Sequence, residues 1–141
     1  MTVSQYVFVR AVHVLSGGFL FGGSVLLYLA FHAEGAVSRS VLAWFEALFW
    51  GVLGALVFTG LGNAAGFGVP PVETDRGSVL AAKFSVLGAV VLISVLRTSA
   101  ILAVGERGQS AVPGRRLRKL YALTALGLAV IVFLAGVYVR G

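Results

Sequence analysis

Four ionisable side chains, His13, Glu46, Lys83 and Arg97, stand inside otherwise apolar stretches of this chain. In hydrocarbon such groups are costly unless they snorkel, pair or face a cavity, so they mark where chemistry is to be sought. A neutral imidazole offers a ligand to a metal centre. Lysine offers a counter-charge to an anion, and a carboxylate beside a guanidinium offers an ion pair. We therefore take His13 as the candidate metal ligand, with Lys83, Arg10 and Gly17 as its cofactor-binding neighbours, and Glu46 with Arg97 as a structural ion pair. Ser16, Gly17, Leu20 and Ser24 share the helical face of His13, so a flat group could approach the imidazole there. A histidine merely hydrogen-bonded to a neighbouring helix stays open beside that reading.

The second histidine does not complete a site. His13 and His32 lie 19 residues apart, about 28 Å along a helix, so they cannot grip one metal within a single chain. There is no cysteine, and the one methionine is Met1, which removes thiolate sites, iron–sulfur clusters and covalently attached haem. His32, at the end of its helix before Glu34, is expected at an exposed interface. At about 100° per residue, Lys83, Ser94 and Arg97 fall within roughly 60° of one another. Such a stripe faces the interior, a wet cavity, or an anion such as a propionate or lipid phosphate. Alternatively, Lys83 and Arg97 snorkel to opposite interfaces.

Of the 141 residues, 59% are hydrophobic and 11% charged, a balance that one soluble core of this size cannot hide. Four apolar runs, Val7 to Phe31, Val41 to Leu61, Val79 to Val104 and Leu120 to Val139, each reach the roughly 20 residues that cross about 30 Å of hydrocarbon. The first run, at about 25 residues, exceeds the about 7 to 15 of a signal-peptide core and reads as a retained helix. Short connectors predict an all-α integral membrane protein, a single up-down four-helix transmembrane bundle over residues 1–141.

The net charge of +6 comes largely from the connector Gly105 to Lys119, so it reads as membrane topology and not as a nucleic-acid surface. Arg107, Arg115, Arg116, Arg118 and Lys119 make that connector cytoplasmic by the positive-inside rule, with both termini outside. Gly18 with Gly22, Gly51 with Gly54, Gly62 with Gly66, and Gly127 with Gly136 permit close helix packing, within the bundle, in a homo-oligomer or in a larger membrane complex.

Val12-His13-Val14-Leu15 followed by Phe21-Gly22-Gly23 resembles the first helix of the CopD-type membrane domain. Ala82-Lys83-Phe84, leading into an apolar run that ends in Arg97, is similar to that family's lysine-bearing helix, and Ala135-Gly136-Val137 fits its last. Leu29-Ala30-Phe31-His32-Ala33 resembles the end of the first helix in the HemJ-type protoporphyrinogen oxidases of the same superfamily. A Pro-Arg pair that precedes the second histidine there is absent, with Leu27 and Tyr28 in its place. The resemblance implies haem b or copper on a four-helix scaffold.

Three functions follow as expectations. The first is a haem-b-binding membrane redox protein, with His13 as axial ligand and Lys83 or Arg10 near a propionate, passing electrons or oxidising a porphyrinogen. Copper handling is the second, which the lack of cysteine and internal methionine disfavours for Cu(I). The third is a non-catalytic subunit of a larger membrane complex.

Overall fold

The structure, a computed structural model, describes the backbone of residues 2–140 and the side chains of all of these except 63–67. Met1 and, for its packing, Gly66 lie outside the described residues. Four helices dominate: α1 (Val3–Glu34), α2 (Arg39–Phe67), α3 (Asp75–Glu106) and α4 (Arg115–Arg140). All four are long and apolar enough to cross a membrane.

Each helix outruns its apolar stretch, because backbone bonding continues until a local signal stops it. Thr2 starts α1 with a capping box: its hydroxyl accepts from Gln5 N, and the Gln5 side chain accepts from Thr2 N. Two orphan donors are satisfied in this way. Thr74 caps α3 by accepting from Gly77 N at 3.0 Å, with Asp75 in the first turn, where a carboxylate suits the positive end of the helix dipole. The Gly114 carbonyl accepts from Arg118 N at 2.7 Å. Consequently α4 begins at Arg115, and the basic stretch expected as connector up to Lys119 is helical over its last five residues. The connector between α2 and α3 is likewise short, residues 68–74, although the second and third apolar runs are separated by residues 62–78.

Two short strands were not expected from sequence. β1 (Ala36–Ser38) and β2 (Ala111–Pro113) pair antiparallel with Val37 opposite Val112. Arg39 N donating to Ser110 O and Gly114 N donating to Gly35 O extend the ladder. The pairing brings the α1–α2 and α3–α4 connectors together at one end of the molecule. A Cβ at Gly114 would overlap the Phe31 ring, so glycine lets the start of α4 press onto α1.

Along the bundle, the interior is layered. Next to the sheet lie Leu27, Phe31, Leu42, Ile101, Val112, Leu117 and Tyr121. Beyond them come Leu20, Phe49, Leu53, Leu56, Val90 and Leu128. α4 packs on both α1 and α3, α1 packs on α2, and the α2–α3 seam is the sparsest of the four. The outer surface is apolar as well: Trp44, Phe58, Leu92, Val132 and Phe133 are all more than 60% exposed. Helices apolar inside and out match a lipid surrounding.

Candidate functional site

The polar residues within the helices fall into two separate groups. Glu46 and Arg97 form the centre of the first, both buried. Arg97 Nε donates to Glu46 Oε1 at 2.5 Å and Arg97 Nη2 to Oε2 at 3.1 Å. Tyr121 donates its hydroxyl to Oε1 at 2.8 Å, and Thr98 donates to Oε2 at 2.7 Å. The carboxylate thus accepts four hydrogen bonds, which fills its lone-pair sites.

The guanidinium is equally occupied. Arg97 Nη1 donates to Thr124 at 2.7 Å, and the group lies 4.3 Å from the centre of the Phe49 ring and 4.7 Å from that of Tyr121. Trp50 Nε1 donates to Thr98 at 2.9 Å, so the network extends through Thr98 back to α2. Its chemistry is that of a structural clamp between α2, α3 and α4. Nearby on α3, the buried Ser94 Oγ has no hydrogen-bond partner among the described residues.

The second group borders a cavity of about 300 Å³ towards the end of the bundle away from the sheet. All four helices line it, with His13 and Gly17 from α1, Leu56 and Gly60 from α2, Lys83 and Leu87 from α3, and Leu128 and Ile131 from α4. Val14, Leu61, Phe84 and Val132 also border it and are 47% exposed or more. The cavity therefore has an apolar rim on the outer surface of the bundle.

His13 is held from one side. Its Nδ1 lies 3.1 Å from Leu56 O and 2.9 Å from Thr59 Oγ1. A carbonyl oxygen only accepts, so Nδ1 must carry the proton to bond it. In the neutral ring Nε2 is then the bare acceptor. Among the described residues none hydrogen-bonds Nε2. Gly60 makes the arrangement possible: a Cβ there would stand 3.3 Å from His13 Cε1, tighter than ordinary packing.

Lys83 borders the same cavity and has no carboxylate partner among the described residues. Gly17 borders it too, while Arg10 does not. The Arg10 guanidinium donates to the Tyr6 hydroxyl at 2.9 Å on the exposed surface. His32 lies at the sheet end of α1, exposed, stacked on Tyr28 and 3.4 Å from Arg118 Nη1. The stripe of Lys83, Ser94 and Arg97 is interrupted: Val90 and its apolar neighbours lie between the cavity and the ion pair.

Sequence reasoning did not single out Thr59, Gly60, Thr98, Tyr121 or Thr124. Neutral hydroxyls and glycines are ordinary in membrane helices, and their roles depend on what the neighbouring helix brings to them. No group of three or more histidine, aspartate or glutamate side chains suited to a metal ion is present among the described residues. No protein-family model, curated protein or solved structure matches the chain.

Proposed function

We propose that this chain is an integral membrane protein, an up-down four-helix bundle with both termini outside, that binds b-type haem in the cavity beside His13 and serves in redox chemistry. The observation that carries this reading is the setting of His13, which borders an apolar cavity with Nδ1 3.1 Å from a backbone carbonyl, the contact that calls for a proton on Nδ1 and a lone pair on Nε2. That is the arrangement of metal-ligating histidines, whose other ring nitrogen is tied down by a carbonyl or carboxylate.

The residues present fit a porphyrin in three respects. The lining is almost wholly apolar, Lys83 offers a cation to a propionate, and the exposed rim lets a ring larger than the enclosed volume reach into lipid. About 300 Å³ lies at the lower bound of small-molecule pockets, so the enclosed space would take only part of a porphyrin, with the rest at the exposed rim. Bound there, haem supplies a one-electron iron couple. His13 would anchor it, Lys83 would neutralise its acid, and Leu56, Leu87 and Leu128 would exclude water. Among the described residues His13 is the only histidine that borders the cavity, so it alone would offer the group a ring nitrogen.

Absorption spectra of protein purified in detergent from haem-replete cells, oxidised and then reduced with dithionite, test the reading. A Soret band is expected in wild type and in His32→Ala, and its loss in His13→Ala. A preparation without a Soret band rejects haem, and retention of copper alone moves the assignment to copper handling.

A further inference from the structure

Thr59 sits one turn from Leu56 on α2, 8% exposed, and its Oγ1 is the nearest protein atom bonded to His13 Nδ1, at 2.9 Å. A hydroxyl has one proton. That of Thr59 is directed at its own helix, with Ala55 O at 2.8 Å and Leu56 O at 3.1 Å. The oxygen lone pairs are thereby left towards His13, and the hydroxyl is an acceptor there, as the Leu56 carbonyl must be. Were Nδ1 unprotonated, two oxygen acceptors would confront its lone pair at about 3 Å. The backbone of α2 thus fixes the proton of Thr59, and the Thr59 oxygen joins the Leu56 carbonyl in fixing the proton of His13.

We infer that Thr59 is the positioning residue of the site, the hydroxyl that keeps His13 in the Nδ1–H form and so keeps Nε2 open to a ligand. Its consequence for haem rests on the reading above; its consequence for the imidazole does not. An acceptor on Nδ1–H also makes the imidazole a more basic ligand, which favours ferric over ferrous iron. Thr59→Val keeps the shape and removes the acceptor. Thr59→Ser keeps the acceptor and removes a methyl group.

Two measurements separate the possibilities. In cofactor-free protein labelled with ¹⁵N histidine, on a His32→Gln background so that His13 alone reports, the ring nitrogens give the tautomer directly. Wild type and Thr59→Ser are expected as Nδ1–H, and Thr59→Val is expected to show a new Nε2–H population. In haem-loaded protein, Thr59→Val is expected to lower the ratio of ferric to ferrous affinity about tenfold, which raises the midpoint potential by about 59 mV for a one-electron couple. Thr59→Ser should stay at the wild-type potential.

An unchanged tautomer in folded Thr59→Val overturns the positioning role even where haem binds. The expected tautomers without any Soret band leave the role standing and reject haem. Failure of Thr59→Ser to restore the wild-type spectrum also overturns it, since a packing effect would then account for the valine result.

Discussion

At the residue scale, Glu46 and Arg97 show how much energy a membrane helix can place in one pair. Both are buried, and every lone-pair site on the carboxylate is used. Removing one member leaves the other charge buried and unpaired, at a cost of about 3–5 kcal/mol. We expect Glu46→Gln and Arg97→Met each to lower unfolding stability in mixed micelles by about that amount. The double variant Glu46→Leu with Arg97→Met should lose less than the sum of the single losses, because no lone charge remains. Strict additivity would show that the pair is not coupled. The two partners were legible in sequence because charges are rare in apolar runs. Tyr121, Thr98 and Thr124 were not, since the hydrogen bonds that recruit them cross between helices and leave no trace in local composition.

At the element scale, one turn of α2 builds the wall against which His13 rests. Leu56 supplies a carbonyl, Thr59 a hydroxyl, and Gly60 the space, and residues three and four apart share a helix face. Gly60→Ala tests this division of labour. Alanine is favoured over glycine within a helix by about 1 kcal/mol, so helix content and unfolding stability should hold or rise slightly. The new methyl group, about 3.3 Å from Cε1, displaces the imidazole, and haem content per protein should fall several-fold. Unchanged haem content would show that the ring does not need this space. The apolar runs made the four helices readable, but not their ends. Those are set by Thr2, Thr74 and Gly114 through single backbone contacts, and the three-residue strands by pairing between connectors more than 70 residues apart in sequence.

At the scale of the whole molecule, the division of charge predicts an orientation. The sheet end carries Arg39, Arg107, Arg115, Arg116, Arg118 and Lys119 against Glu34 and Glu106, whereas the other end carries Arg10, Arg76 and Arg140 against Glu73 and Asp75. α1 and α3, at 32 residues each, measure about 48 Å, well beyond about 30 Å of hydrocarbon. On the proposed insertion their ends would stand clear of the hydrocarbon, with the connectors open to reagents in water. Because the chain has no cysteine, a single introduced thiol reports its own side. Val72, 65% exposed between α2 and α3, and Gln109, exposed between α3 and α4, bracket one span. A membrane-impermeant maleimide should label Val72→Cys in intact cells and Gln109→Cys only after lysis. The reverse pattern would invert the orientation while keeping the span, and labelling of both from outside would show that α3 does not cross. The expected pattern puts the His13 cavity nearer the outer face and the clamp of Glu46 and Arg97 nearer the cytoplasm.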